Sequence, residues 1–327
     1  MSDFIDHIHI SNFKSIRDSE ISGCKRINLI IGRPNVGKSN ILEALSLFSI
    51  LFLRENSSKK LSGFVRAENE TELFYNGNSE KDALIDTNIG SCRLTYNPKQ
   101  GLFIENDFLG KVYISGVDDR LIVKVAKNLP SFESPVKKYT FKQGVVYKKS
   151  HAKYLIPPFG FNLLSILENY PELKKQVTSL FTEYGLEIAF DKSSQSIKII
   201  QNNNKGLFLI PYNSIADTLQ RIIFFKSAIA SNTNSILLFE EPEAHSFPPY
   251  MSHITQEMIY KKENQYFVAT HSPFVLNDLL ENAQDELSVF IAEYHDHQTV
   301  VRRLSESELN DVYQNGVDLF TNNESYI

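Results

Sequence analysis

The sequence predicts an α/β fold: a mixed, largely parallel sheet with flanking helices, carrying an inserted antiparallel β-rich lobe. Three observations predict it. An apolar strand near the N-terminus runs through a glycine loop into a helix. Roughly the last hundred residues alternate strand and helix, the pattern of a parallel sheet covered by helices. Between about Glu72 and Tyr147, short strands are punctuated by turn formers such as Asn76, Gly77, Asn97, Pro98 and Gly110.

Composition sets the outer bounds. The 327 residues are 42% hydrophobic and 22% charged, with a formal charge of −5. These values exclude a disordered or fibrous chain and give no global attraction for nucleic acid. Cys24 and Cys92 are too few for a disulfide framework or a zinc site. The first ten residues lack the apolar stretch of a secretory signal, and the apolar run 41–53 contains Glu43 and falls short of the roughly 20 residues of a membrane span. A soluble, cytoplasmic protein with no membrane contact is expected.

In chain order, alternation of Ile8 and Ile10 with His7 and His9 gives a first strand, and 25–31 a compact apolar one. The spacing of Ile41, Leu42, Leu45, Phe48 and Phe52 predicts a helix over 38–53. The lobe follows, with strands near 91–96, 102–105, 111–115 and 121–125. Asn162 is expected to cap a helix over 163–168, and Pro171 to open one reaching about Tyr184. Strands near 186–190, 196–201 and 206–210 lead to a helix over 214–230. Strands at 235–239, 265–269, 287–293 and 299–303 then alternate with helices at 248–261 and 273–281. The polar stretch from about Asn310 is expected to fray.

The string Gly32-Arg33-Pro34-Asn35-Val36-Gly37-Lys38-Ser39 fits G-x-x-x-x-G-K-[ST] between strand and helix. Its glycines let backbone N–H groups converge on a β-phosphate, at the positive end of the helix dipole. Lys38 supplies a point charge to the β- and γ-phosphates, and Ser39 a hydroxyl to Mg²⁺. A GTPase would also carry N-K-x-D; Asp107-Phe108-Leu109-Gly110 satisfies D-x-x-G by letter, but no N-K-x-D exists.

The apolar strand at 235–239 ends in Glu240 and Glu241. Carboxylates at a parallel strand's C-terminal end suit metal and water chemistry: Glu240 to hold Mg²⁺, Glu241 to polarise the attacking water. A second apolar strand ends in Thr270-His271, placing His271 to sense a γ-phosphate. His245 is a candidate for a dimer interface.

Together, His9-Ile10-Ser11-Asn12-Phe13-Lys14-Ser15-Ile16, the loop ending Gly37-Lys38-Ser39-Asn40, Phe239-Glu240-Glu241-Pro242-Glu243-Ala244-His245 and Ala269-Thr270-His271-Ser272-Pro273 resemble the ABC-type AAA-family ATPases of the OLD/RecF/SMC branch, compact heads common in bacterial anti-phage and DNA-repair systems. The resemblance implies a P-loop ABC-type ATPase head that binds and hydrolyses ATP with Mg²⁺, Glu241, His271 and Lys38 being catalytic. It divides the chain into 1–55, the start of the head with its phosphate loop; 56–160, the β-rich lobe; 161–210, a subdomain leading to the signature; and 211–327, the rest of the head. It adds Asn40 to the nucleotide-binding loop. It also implies an ATP-dependent homodimer or higher homo-oligomer in which Asn213 and Ser214, opening the signature helix, meet the partner's nucleotide. The stretch departs from many relatives at Ala216, where they carry glycine.

OLD proteins carry a C-terminal TOPRIM nuclease domain, and only about 45 residues follow Leu280, less than half an ordinary domain. Any nuclease or toxin effector is therefore expected to be a separate protein. The alternative to a hydrolysing switch is an ATP-binding scaffold with little turnover. A transporter subunit would carry L-S-G-G-Q, which is absent. DNA contact rests on the basic pairs at 59–60, 137–138, 148–149, 174–175 and 261–262, read as scattered on a solvated surface.

Overall fold

A computed structural model describes residues 4–125, 134–203 and 206–320. The chain begins with β1 (His7–Phe13), β2 (Ile16–Ser22) and β3 (Ile27–Ile31), then α1 (Lys38–Ser46). Next come β4 (Ala83–Thr87), β5 (Gly90–Asn97), β6 (Gly101–Phe108), β7 (Lys111–Val117), β8 (Val123–Lys124) and β9 (Val136–Tyr139). Helices α2 (Leu163–Asn169) and α3 (Pro171–Thr182) precede β10 (Leu186–Asp191), β11 (Ser196–Asn203) and β12 (Gly206–Pro211). The last part runs α4 (Asp217–Ala230), β13 (Ile236–Glu240), α5 (Pro248–Tyr260), β14 (Gln265–Ala269), α6 (Pro273–Ala283), β15 (Leu287–His295), β16 (Gln298–Arg303) and α7 (Glu306–Asn315).

Three sheets result. The six-stranded sheet has the order β16-β15-β3-β14-β13-β9, parallel except for β16. Its central strands, such as Ile-Asn-Leu-Ile-Ile in β3, are buried on both faces, so they read as mainly apolar runs without alternation. The seven-stranded antiparallel sheet has the order β2-β1-β4-β5-β6-β7-β8 and alternates buried and exposed residues, as in β6. A small sheet, β10-β11-β12, stands apart from both.

α1 packs between the two large sheets. Ile41, Leu42 and Leu45 share one core with Ile8, Ile10, Ile85 and Leu94 of the antiparallel sheet and with Leu238 and Phe267 of the parallel one. The opposite face of the parallel sheet, with Leu29, Phe239 and Val268, packs on Ile223 and Phe225 of α4, Met258 of α5 and Leu276 of α6. The β-rich stretch is interlocked with the rest: β1 and β2, from the first fifty-five residues, begin the antiparallel sheet, and β9, from the 56–160 stretch, edges the parallel one.

Several local expectations are corrected. The α-helix stops at Ser46 and continues as a 3-10 helix, Leu47–Glu55. At the switch the Ser46 hydroxyl lies 2.7 Å from the Glu43 carbonyl and 2.9 Å from that of Phe64, competing with the helical ladder. Asn162 does not cap α2 through its side chain; its amide accepts from Ile156 N–H at 2.8 Å and donates to the Tyr154 carbonyl at 2.9 Å. The helix expected from 214 begins at Asp217, after a 3-10 turn at Tyr212–Ser214. Of the polar stretch expected to fray, 310–315 instead form the end of α7, a helix fixed by a Ser305–Glu308 capping box and by burial of Leu309 and Val312; 316–320 are turn and loop, and positions 321–327 lie outside the described residues. The pair Lys137–Lys138 is not on the surface: both amines are buried in β9.

Candidate functional site

The glycine loop is shaped by what surrounds it. At Gly32, φ is 144° and a Cβ would meet the Ala292 carbonyl oxygen at 2.3 Å. At Gly37, which starts α1, φ is 97° and a Cβ would lie 2.0 Å from Thr299 Oγ1 and 2.7 Å from Ser15 Oγ. Both positions therefore require glycine. The Thr299 hydroxyl donates to the Val36 carbonyl at 2.8 Å, Ser15 and Thr299 bond at 2.6 Å, and the Asn40 amide donates to Ser15 Oγ at 2.6 Å. The β1–β2 turn and the β15–β16 hairpin thus brace the loop from two sides. Lys38 Nζ folds back on the loop, donating to the carbonyls of Gly32 (2.9 Å) and Arg33 (2.7 Å).

The carboxylates arrive from the neighbouring strands. Glu240, the last residue of β13, pairs with Ala269, the last of β14, and Ala269 in turn pairs with Ile30 of β3. Three parallel strands therefore end together around the loop, the crevice where such sheets bind ligands. Glu241 sits at φ 43°, in the left-handed region, held by its N–H donating to the Ala269 carbonyl at 2.8 Å. His271 Nε2 lies 3.6 Å from Glu241 Oε1, an electrostatic contact beyond hydrogen-bond length. Buried Glu243 ties the two strand ends, accepting from the Thr270 hydroxyl and, at 3.2 Å, from the His271 N–H.

These groups line one cleft of ≈ 450 Å³. Pro34, Asn35, Gly37, Lys38, Ser39 and Asn40 form one wall; Glu240, Glu241 and His271 form the other, and Arg66 completes it. Lys38 and the Glu240–Glu241 pair, some two hundred positions apart, are thus brought together. Gly32, Arg33 and Val36 build the loop behind that wall. Asn213 and Ser214 are not among the lining residues; they lie exposed on the turn before α4.

Electrostatics follow from burial and charge. Desolvation lowers Lys38 to about 8 against the opposing pull of Glu241 and Glu240. Burial pushes Glu240 upward, but Lys138, a hydrogen bond from Ser39 and the Arg66 guanidinium outweigh it and hold the carboxyl below its ordinary value. Burial, then the Lys38 charge, lowers His271, favouring neutral imidazole at neutral pH.

Sequence reasoning missed Arg66, Lys138 and Glu43. Glu43, fully buried on α1, pairs with Lys14 and accepts from Arg66 Nε at 2.8 Å. Arg66 also reaches Glu240 at 2.9 Å. A lone carboxylate inside the apolar run 41–53 was the available signal, since a buried charge demands a partner.

A crystal structure of the SmcHead bound to the C-winged helix domain of ScpA superposes with a TM-score of 0.52 at 13% identity, covering 94% of this chain and 99% of that one, which shows the fold. An uncharacterised protein of Methanocaldococcus jannaschii, MJECL10, is 50% identical over 44 residues, 14% of this chain and 20% of its own. An ATP/GTP phosphatase of Helicobacter pylori is 29% identical over 94 residues, 26% of this chain and 25% of its own. The matches thus span a fifth to a quarter of these curated relatives. Residues 27–277 match the family described as "AAA domain, putative AbiEii toxin, Type IV TA system". With that family match over most of its length, the chain belongs to this AAA-domain family, and its fold is similar to that of the SMC head.

Proposed function

We propose that the chain binds and hydrolyses ATP with Mg²⁺ and uses the nucleotide to switch dimerisation. The observation that carries this reading is the single cleft shared by Lys38, Glu240, Glu241 and His271. The residues fit a magnesium–triphosphate. Two glycines leave a cradle that no Cβ could share, the N-terminus of α1 faces it, and Ser39 and Glu240 offer the hard oxygen donors Mg²⁺ prefers. Bound Mg²⁺ would supply charge neutralisation on the phosphates. Lys38 adds a point charge there, the neutral imidazole of His271 can donate to a phosphate oxygen, and Glu241, exposed at the cleft wall, can accept a proton from water.

The exposed turn with Asn213 and Ser214 lies outside the chain's own cleft, which supports a role on a partner's nucleotide. Ala216 stands at φ −52° and ψ 134°, a conformation open to any residue, so this backbone does not require the relatives' glycine. The family description names a putative toxin of a type IV toxin–antitoxin system; work beside a separate effector, in anti-phage defence or a DNA-related pathway, is what the resemblance in sequence implies. Of the basic pairs, 148–149 and 174–175 are exposed, Lys60 and Lys262 are exposed beside half-buried Lys59 and Lys261, and Lys137 and Lys138 are buried, so DNA contact through these pairs would fall to the first four lysines. A binding constant falling steeply with salt would support it.

Phosphate release by the wild type and by Glu241→Gln tests the central reading. The expected loss is on the order of a hundredfold or more. Equal rates would favour the ATP-binding scaffold.

A further inference from the structure

Glu240 is crowded by cations. Its Oε1 accepts from Arg66 Nη2 at 2.9 Å, its Oε2 faces Lys138 Nζ at 3.8 Å, and the Ser39 side chain also bonds to the group. The same Arg66 guanidinium bonds through Nε to Glu43 Oε1 at 2.8 Å, while Lys14 pairs with Glu43 Oε2. Three cations therefore serve two carboxylates.

A divalent ion held between Ser39 and Glu240 needs a carboxylate oxygen that one of these cations engages, and like charges in contact repel strongly in a partly buried site. Burial and anchoring decide which cation yields. Lys138 has a side chain only 5% exposed, and its amine donates to the Phe64 carbonyl at 2.8 Å. Arg66 has a side chain 65% exposed. Its root is fixed, because Lys14 Nζ donates to the Arg66 carbonyl at 2.6 Å, but its solvent-exposed guanidinium has room to pivot. The bond to fully buried Glu43 gives that pivot a fixed point.

We infer that Arg66 is a resident counter-ion of the metal carboxylate: Arg66 and a divalent metal ion exclude each other on Glu240, and metal loading turns the guanidinium onto Glu43 alone. The inference rests on the nucleotide reading above. It makes Mg²⁺ binding a replacement of one cation by another, so Arg66 sets the Mg²⁺ concentration at which the cleft loads.

The test is equilibrium binding of a fluorescent ATP analogue, followed as MgCl₂ is titrated into the full chain. Arg66→Gln removes the competing charge and is expected to reach half-maximal Mg²⁺-dependent tightening at roughly three- to tenfold lower Mg²⁺, the scale of one partly exposed charge-assisted hydrogen bond. In EDTA its affinity should not rise. Arg66→Lys keeps a charge but cannot fork between two carboxylates, so it should fall between the two; it decides the matter should Arg66→Gln fail to fold. A half-point for the variants equal to or above that of the wild type overturns the inference, as does an equal gain in EDTA. A wild type with no Mg²⁺-dependent binding overturns both this inference and the ATPase reading, whereas Mg²⁺-dependent wild-type binding with unshifted variants overturns the inference alone.

Discussion

Two helix N-termini in this molecule, those of α1 and α4, differ in physics. α1 and α4 both follow short turns, and neither has a side-chain cap. The start of α1 is enclosed: glycine at its N-cap, no acidic residue in its first turn, Lys38 at its first position, and hydroxyls of Ser15 and Thr299 behind it. The start of α4 is exposed and carries its own anion. Asp217 occupies the first turn, bonded to Arg221 at 2.7 Å and to Gln143 at 2.8 Å. One N-terminus is kept for an outside anion, whereas the other already satisfies its dipole internally. Phosphate affinity of the single chain should therefore reside almost wholly at α1, with α4 contributing only across an interface.

Substitutions at the two turns and a pH series sharpen or break that contrast. The largest effect is expected from Lys38→Met, which should weaken ATP binding on the order of a hundredfold or more, the loss of a buried charge-assisted donor. Ser214→Ala, measured by the same titration at low protein concentration, should change binding by less than about twofold. Similar losses from the two would erase the distinction.

Stability should separate the turns next. Gly37→Ala forces a side chain into φ 97° and against Thr299 Oγ1, for an expected cost of about 2–4 kcal/mol in denaturant unfolding. Ala216→Gly, at φ −52°, should cost only about 0.5–1 kcal/mol of chain entropy.

A pH series probes the first N-terminus alone. Lys38 is held near 8, below the usual amine value, so it keeps its charge below that pH and loses it above. A bound polyanion raises the value again, so ATP affinity should stay level to about pH 8 and then fall, by at most roughly tenfold per pH unit. A rise in affinity above pH 8 would remove Lys38 from phosphate binding. A third helix provides a control: α7, unlike α1 and α4, caps itself, and Ser305→Ala should cost about 1 kcal/mol of stability while leaving ATP binding unchanged.

What was readable in the sequence was local. The glycine loop, the apolar strands ending in Glu240 and Thr270, and the strand–helix alternation each announce themselves within a dozen residues. The start of β1 was visible by alternation; its pairing with β4, more than seventy positions away, was not. Lys138 reads as a surface lysine because its burial depends on which strand β9 pairs with, a tertiary fact. Arg66 lies in a loop without periodicity or motif. Two signals were in plain view: the solitary Glu43 within an apolar run, used only against a membrane span and not for the partner a buried charge needs, and the Ser305-x-x-Glu308 spacing that starts α7.

The central claim is that Lys38 and Glu240 act on one magnesium–triphosphate. Calorimetric titration of ATP into the Glu240→Gln variant, with and without Mg²⁺, tests it most directly. The account predicts that Mg²⁺ tightens ATP binding to the wild type and that this tightening disappears in the variant, while metal-free binding persists. Undiminished Mg²⁺ dependence in Glu240→Gln would contradict it.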